Sequence, residues 1–432
     1  MRYALLLLLL LVPSPVLPKA EVQGDLPYRV VRGDTLDGIA RRGLKRLQDY
    51  REVQRRNGIR NPDAIRAGTI LRIPRHLLRV EPVSAKVVAL RGNVTIDGRR
   101  AGLDQAVKPG GTVSAGTASF LTMELADGSV LTVPSGSRME IVSLGRILLT
   151  GAVEKRFLLR TGRVETRVRP LQRENDRFEI QTPVSVASVR GTRYRVTYRD
   201  SSGVAGASVL EGAVVVAADR QELVLDAGKG ITVDKQAMRA PENLLPAPRM
   251  SDADALQDAA LVGFHLGEVP GAALYRVQMA TDAGFIDLFA EEESTTPDIT
   301  FENIPDGSFF ARFTAISEGG IEGKSTSFAV ERRRNDLTAS VEEAPDCPAR
   351  RCLLFRWRSN GNGDRQYRFQ LLPEPDGVPV LDEAGMSDTE IVVTDLPPGV
   401  YYWRVESRGG VGETAFARWS QYEELHVAPL TR

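Results

Sequence analysis

The stretch YRVVRGDTLDGIARR, residues 28–42, decides the fold of the first unit of this chain. A short apolar run from Tyr28 to Val31 predicts a strand. Gly33 permits the tight turn that follows, because glycine adopts positive φ at little cost. The side chain of Asp34 or Thr35 can then accept a hydrogen bond from the first turn of a helix beginning near Leu36.

The residues that follow extend this pattern into a complete small fold. The stretch VQRRNGIRNPDAIRAGTILRIP, residues 53–74, predicts a second helix closed by Asn57, a loop through Pro62, and a last strand from Ile70 to Ile73. Ile39 and Ala40 are expected to face inward from the first helix. The sequence therefore predicts a small βααβ module over residues 28–74.

This order of residues resembles the LysM family, whose groove between two loops holds glycans containing N-acetylglucosamine. The resemblance implies a peptidoglycan-binding site. One side of the groove would be formed by Gly33, Asp34, Thr35 and Leu36, and the other by Pro62, Asp63 and Ile65. Family members often carry an aromatic residue where this chain has Asp37. We therefore expect charge to contribute more, and sugar stacking less, to binding.

Charge is concentrated in this first unit, although the formal net charge of the 432-residue chain is zero. From Tyr28 to Val80 there are 14 Arg or Lys against 5 Asp or Glu. Two interpretations stay open: attraction to the carboxylates of wall polymers, or a solvated arginine-rich surface. Nucleic acid is not an expected partner, because the chain is expected to be exported.

The first 20 residues carry the features of a signal peptide. Arg2 precedes an apolar run of nine residues, Ala4 to Val12, which is too short to span a bilayer. We therefore expect cleavage near Ala20 and a soluble periplasmic protein with no membrane span in the mature chain. In an exported protein, the pair Cys347 and Cys352 predicts a local disulfide.

Residues 82–238 change to short alternating runs separated by glycine turns, which predicts an all-β domain. An example is the run from Leu121 to Val133, where Asp127-Gly128 is expected to form a hairpin turn. Two stretches, AVKPGGTVSAGTASFLTMELADGSVLTV (106–133) and FEIQTPVSVASVRGTRYRVTY (178–198), resemble the FecR family. That family includes periplasmic domains of sigma-factor regulators, so the resemblance implies signalling as an alternative function. We expect Gly191 to mark a bend between strands.

Residues 239–259 are rich in proline and then acidic, which predicts a linker with a short helix near Ala253 to Leu261. An internal repeat follows at 260–334 and 337–428, shown by YRVQMATDAGF (275–285) and YRFQLLPEPDG (367–377). Each copy resembles fibronectin type III or another immunoglobulin-like sandwich. The expected core aromatics are Trp357, Tyr367, Trp403 and Trp419, with Phe264 in the first copy. The acidic run Glu291 to Glu293 is expected in a solvated loop.

No catalytic, cofactor or metal motif is present in the sequence. The three histidines fall in different segments, and no nucleophile, P-loop or dinucleotide fingerprint occurs. The sequence therefore predicts a non-catalytic, multidomain scaffold tethered to peptidoglycan, which presents its β domains to an envelope partner. Two alternatives remain: an envelope-signalling component that regulates a sigma factor through the FecR-like domain, and a wall hydrolase with an unrecognised site.

Overall fold

The computed structural model describes residues 24–250, 256–344, 349, 351–410 and 415–429. The predicted signal peptide, residues 1–20, and Cys347 lie outside this part of the chain. Four modules follow one another along it, and nearly all regular structure is strand. The predicted multidomain, mostly β fold class is therefore confirmed.

The N-terminal module, residues 24–78, has the predicted βααβ order. Its elements are β1 (Asp25–Arg29), α1 (Leu36–Gly43), α2 (Tyr50–Arg56) and β2 (Ile70–Pro74). The strand β1 begins earlier than the predicted Tyr28, and it pairs antiparallel with β2, with Leu26 opposite Ile73. Ile39 and Ala40 are buried as predicted. The longer of the two α-helices has eight residues, and no helix in the described residues is long and apolar enough to cross a membrane.

The central β domain contains strands β3 to β20, which follow one closed hydrogen-bonded path around a single apolar core. These strands are β3 (Val80–Pro82), β4 (Ala85–Arg91), β5 (Val94–Ile96), β6 (Arg99–Arg100), β7 (Ala106–Val107), β8 (Thr112–Ala115), β9 (Phe120–Leu125), β10 (Val130–Val133), β11 (Arg138–Ile147), β12 (Val153–Arg167), β13 (Arg177–Gln181), β14 (Val186–Val189), β15 (Arg193–Arg199), β16 (Val204–Glu211), β17 (Ala213–Ala218), β18 (Gln221–Asp226), β19 (Lys229–Val233) and β20 (Glu242–Asn243).

Two turns of this domain match the sequence-based expectations. Gly128, with φ +79°, forms the hairpin turn between β9 and β10. Gly191, with φ +132°, lies between β14 and β15, where a Cβ would come within 2.8 Å of the backbone of Pro170. Both positions require glycine because L side chains rarely adopt these angles.

Two modules with sandwich-like packing complete the described chain. The first contains β21 (Leu256–Gln257), β22 (Val262–His265), β23 (Ala272–Ala280), β24 (Leu288–Ser294), β25 (Asp298–Phe301), β26 (Gly307–Ser317) and β27 (Glu322–Arg332). The second contains β28 (Leu337–Glu343), β29 (Cys352–Ser359), β30 (Arg365–Leu372), β31 (Leu381–Met386), β32 (Glu390–Thr394), β33 (Gly399–Gly409), β34 (Phe416–Trp419) and β35 (Glu423–Val427). We call them the first and the second sandwich.

The linker region differs from its prediction. Leu256–Gln257 is a strand that pairs in parallel with β27, not part of a helix, and Ala253 to Ala255 lie outside the described residues. The Arg332 side chain is 1% exposed, and its guanidinium donates to the carbonyls of Gln257, Ala259 and Ala260. The end of the linker is therefore fastened to the first sandwich.

The predicted aromatic core is confirmed at all but one position. Trp357, Tyr367, Trp403 and Phe264 are buried. Trp419 is only half-buried, so its assignment to the core is wrong. It lies opposite Glu406 on the outer face of the sheet, where the guanidinium carbon of Arg404 is 4.2 Å from its ring centre.

Candidate functional site

The turn before α1 is organised by the side chains of Thr35 and Asp34, which have different roles. Thr35 is the N-cap of α1, and its hydroxyl accepts a hydrogen bond from the Gly38 N–H at 3.0 Å. Asp34 is buried and instead accepts from the Val31 N–H at 2.9 Å and the Tyr28 hydroxyl at 2.8 Å. Thr35, rather than Asp34, therefore caps the helix.

The Asp34 carboxylate stays ionised in this buried position. Burial by itself would raise its pKa, but the Val31 N–H and the Arg42 guanidinium outweigh that effect and hold the pKa below its usual range. The carboxylate thus joins β1, the turn and α1 through contacts within the module. Its role here is to support the loop.

The second loop, which contains Pro62, is held by hydrogen bonds of two asparagine side chains. The Asn57 side chain donates to the carbonyl of Arg72 at 2.9 Å and accepts from the N–H of the same residue at 2.7 Å, which ties the end of α2 to β2. The Asn61 side chain accepts from the Asp63 N–H at 3.0 Å. Gly68, with φ +89°, turns the chain into β2.

These two loops meet directly. The Leu36 N–H donates to the Pro62 carbonyl at 3.0 Å, and this bond holds residues 33–36 beside residues 61–65. We call the surface between the two loops the groove. A Cβ built on Gly33 would meet no atom within 4 Å, so the groove is open at that point.

The seven predicted glycan-contacting residues are therefore brought together, but they occupy two different environments. Asp34 and Leu36 are 5% and 1% exposed, so they support the loops from within. The other five lie at the surface, either half-buried or exposed: Gly33, Thr35, Pro62, Asp63 and Ile65. These five residues are therefore accessible to solvent.

The far end of α1 is docked on the central β domain. Gly43 packs so closely on this domain that a Cβ there would lie 2.4 Å from the Leu149 Cβ. Beside this contact, the Arg75 guanidinium donates to the Glu154 carboxylate at 3.1 Å, and both side chains are buried. Ile147 completes the core of the N-terminal module. The groove thus lies at the opposite end of α1 from the docking contact.

A buried ionic cluster joins the central β domain to the first sandwich. The Glu165 carboxylate of β12 accepts two hydrogen bonds from the Arg312 guanidinium of β26, at 2.8 and 3.0 Å. The Arg195 guanidinium of β15 lies 3.3 Å from the Glu322 carboxylate of β27 and also donates to the Gly323 carbonyl at 3.0 Å. Both domains therefore contribute cations and anions to the same interface.

The acidic run of the first sandwich belongs to this interface, and its expected position in a solvated loop is wrong. Glu291 and Glu293 lie on β24, and Arg163 of the central β domain pairs with both carboxylates. The Glu291 side chain is only 7% exposed. Because strand residues alternate in direction, these two glutamates face the central β domain together.

The pKa values of this cluster follow its charge arrangement. Burial would raise the pKa of Glu322, but Arg276, Arg195 and Arg163 lower it to about 2. The pKa of Glu165 is also lowered, because Arg312, Arg195 and Arg193 outweigh its burial. Both carboxylates are therefore charged at neutral pH, and each has more than one cation as a partner.

Apolar contacts reinforce the same junction. Ile321 of the first sandwich packs on β16 and β19, where glycine residues leave room for its side chain. A Cβ on Gly230 would lie 2.2 Å from the Ile321 side chain. Phe120 of the central β domain forms a separate buried cluster with Phe285 and Leu288. The two domains therefore share both apolar and ionic buried surface.

The two sandwiches are linked by a buried polar contact. The Asn335 side chain is fully buried, donates to the Ser407 carbonyl at 3.0 Å and accepts from the Ser407 hydroxyl at 2.7 Å. Cys352, at the start of β29, is also buried. Its predicted disulfide partner, Cys347, lies outside the described residues, so that bond remains a prediction.

Family models match two separate regions in the N-terminal half of the chain. The family model described as LysM domain matches residues 28–74, and the model described as FecR protein matches residues 111–215. A comparison with curated proteins finds no match. Among the described residues, no group of three or more His, Cys, Asp or Glu side chains could hold a metal ion.

Solved structures give only distant similarities. A candidate anti-sigma factor from Parabacteroides distasonis is 18% identical, with a TM-score of 0.26, and the match covers 31% of this chain and 59% of that one. This chain thus spans less than two thirds of that relative. The FN1–FN3 domains of chicken CNTN1 are 11% identical with a TM-score of 0.21, and the match covers 57% of this chain and 95% of theirs.

The family matches agree with the geometry of the first two modules. The loops that form the groove fall within residues 28–74, and the strands β9 to β16 of the central β domain fall within residues 111–215. The C-terminal β-rich region is consistent with sandwich repeats. The chain therefore carries a LysM domain at residues 28–74, followed by a FecR domain at residues 111–215.

Proposed function

We propose that this protein is a non-catalytic periplasmic scaffold that binds peptidoglycan through its LysM domain and presents its FecR-like and sandwich domains to an envelope partner. The observation that carries the proposal is the open groove, held by the bond from the Leu36 N–H to the Pro62 carbonyl. Backbone groups and small apolar side chains at such a surface suit the acetamido group of N-acetylglucosamine. The contacting residues would be Gly33, Thr35, Pro62, Asp63 and Ile65, supported by Asp34 and Leu36.

The docking of the LysM domain supports a tethering role. Helix α1 begins at the groove and ends at Gly43, which packs on Leu149. Eight helical residues extend about 12 Å. A glycan strand in the groove would therefore be held away from the central β domain, and the buried contacts at each junction would hold the remaining domains in a fixed relation to the wall.

Co-sedimentation with purified insoluble peptidoglycan tests this proposal. Deleting residues 28–74 is an unsuitable control, because it would expose Ile147 and remove the contact between Gly43 and Leu149. A bulky substitution in the groove avoids this damage. Ala64→Trp places an indole on the exposed loop between Asp63 and Ile65, and Gln48→Trp places the same group on an exposed turn between α1 and α2.

We expect the wild type and Gln48→Trp to sediment and Ala64→Trp to remain in the supernatant. Failure of the folded wild type to sediment would contradict the proposal. Equal sedimentation of all three proteins would place the binding site outside the groove.

Envelope signalling is the second candidate function, and the FecR match at residues 111–215 is the observation that favours it. In that case the FecR-like domain senses an envelope partner and regulates a sigma factor. Deleting the gene should then change a defined set of sigma-dependent transcripts, whereas a scaffold would leave that set unchanged.

The proposal that the protein is not an enzyme has its own test. The three histidines pair with acids in three different modules: His76 with Glu52, His265 with Asp298, and His426 with Glu424. Such isolated pairs do not form a catalytic arrangement. A cleared band on a gel containing embedded peptidoglycan would contradict this part of the proposal.

A further inference from the structure

We propose that Arg32, Arg60 and Arg66 form a cationic rim around the groove that selects glycans with free carboxylates. The inference rests on the proposed glycan-binding function and names the class of ligand that the groove prefers. It differs from a general attraction by a basic surface, because it assigns recognition to three positions next to the binding loops.

Most acidic residues of the LysM domain are already paired within the protein. Asp34 pairs with Arg42, Asp37 with Arg41, and Asp49 with Arg46. Glu52 contacts His76. These pairs leave few acidic side chains in the domain to neutralise its other exposed arginines and Lys45.

The three rim arginines have no such partner. Arg32, Arg60 and Arg66 are exposed, and within the described residues none of their guanidinium groups forms an ion pair or a hydrogen bond. Their positions follow the two loops: Arg32 directly precedes Gly33, and Arg60 and Arg66 enclose residues 61–65. The hydrogen bond between Leu36 and Pro62 brings these loops together.

The chemistry of guanidinium groups identifies the ligand class. Arginine stays charged and presents planar pairs of N–H donors that match a carboxylate. The peptide stems of peptidoglycan carry such carboxylates beside the glycan strand. Asp37, where family members often carry an aromatic residue, is paired with Arg41 and offers no stacking surface. Charge at the rim would therefore supply affinity that stacking does not.

The test compares native peptidoglycan with peptidoglycan whose carboxylates have been converted to amides. The rim variant is Arg32→Gln/Arg60→Gln/Arg66→Gln. The matched control is Lys45→Gln/Arg51→Gln/Arg55→Gln, which removes the same charge from exposed residues on α2 and the preceding turn. Full-length proteins are used, and circular dichroism verifies that each variant folds.

For the wild type and the control, we expect about tenfold weaker binding to amidated than to native peptidoglycan, since exposed ion pairs contribute modestly and add over three sites. The rim variant should bind native peptidoglycan about tenfold more weakly than the wild type and should not distinguish the two preparations. Its affinity should also depend less on salt concentration.

Each other outcome has a distinct meaning. A rim variant that discriminates native from amidated peptidoglycan like the wild type would overturn the rim inference and leave the proposed function intact. Equal losses in the rim and control variants would also overturn it, because general surface charge would then suffice. Absence of wild-type binding to either preparation would overturn both the rim and the proposed function.

Discussion

Arg195 and Glu322 face each other across the junction of the central β domain and the first sandwich, with the Arg195 Nε 3.3 Å from a carboxylate oxygen and both side chains at most 5% exposed. Glu322 also pairs with Arg276 of the first sandwich. Charges that are so deeply buried need partners, because removing one leaves the others in a medium that solvates them poorly. This relationship makes the junction sensitive to single substitutions.

Replacing Glu322 with Ala should lower the free energy of unfolding by about 3 kcal/mol, because Arg195 and Arg276 would lose their shared carboxylate. Urea denaturation monitored by fluorescence and circular dichroism measures the change. Glu390→Ala provides the control, since its ion pair with Arg356 is more than half exposed. That substitution should cost less than about 1 kcal/mol. Equal losses from the two substitutions would contradict the structural role of the junction.

Acid should weaken the same junction within a defined range. The pKa of Glu322 is about 2 in the folded protein, against a usual value of 4.5. Because the pKa is lower in the folded than in the unfolded protein, ionised Glu322 contributes its full stabilisation above about pH 4.5. This stabilisation is lost as the pH falls towards 2. The difference in unfolding free energy between the wild type and Glu322→Gln should therefore shrink over this range. A difference that grows as the pH falls would contradict the assignment.

Gly43→Ala should separate the end of α1 from the central β domain. Alanine normally favours a helix over glycine by up to about 1 kcal/mol. Here its Cβ would lie 2.4 Å from the Leu149 Cβ, so we expect a loss of about 1–3 kcal/mol. Gly102→Ala is the control, because a Cβ there meets no atom within 4 Å. An increase in stability for Gly43→Ala would show that this docking contact does not form.

Thr35→Ala should destabilise the LysM domain without altering its surface charge. The substitution removes the acceptor of the Gly38 N–H at the start of α1, which typically costs about 1 kcal/mol. Thr35→Ser keeps an acceptor and should retain most of the stability. Faster hydrogen exchange at the first turn of α1 in the alanine variant, but not in the serine variant, would identify the cap. Equal exchange in both would contradict it.

The sequence predicts the LysM domain well because its decisive contacts are local. The Thr35 cap reaches three residues along the chain, and the Asn57 contacts with Arg72 reach 15. Gly33 and Gly68 are predictable because each occupies a tight turn with a positive φ, which glycine adopts at little cost. β1 begins earlier than the sequence predicts, because Asp25 and Pro27 are not typical strand residues and pairing with β2 overrides that local preference.

The sequence does not predict the junctions between domains, because their contacts join residues far apart in the chain. The Arg195 guanidinium and the Gly323 carbonyl are 128 residues apart, and Arg163 and Glu291 are separated by the same distance. A usable signal does exist: charged residues repeat every second position, as in Arg163 and Glu165. A strand with this pattern has one polar face, and burial of that face requires an opposing charged surface.

The wrong assignment of Trp419 to the core has a related cause. Side chains alternate between the two faces along β34, so this pattern permits Trp419 on either face of the sheet. The sequence does not reveal which residue of β33 lies opposite Trp419. Register with Glu406 puts the indole on the side of Arg404, whereas Trp403 and Val405 point into the core. Aromatic character alone therefore did not distinguish a core position from an outer one.

We propose that the groove of residues 33–36 and 61–65 holds the protein on peptidoglycan, and sedimentation of full-length Ala64→Trp beside Gln48→Trp is the decisive measurement. We predict that Gln48→Trp sediments with insoluble peptidoglycan like the wild type and that Ala64→Trp does not. Sedimentation of folded Ala64→Trp at the wild-type level, or no sedimentation of the wild type, would contradict it.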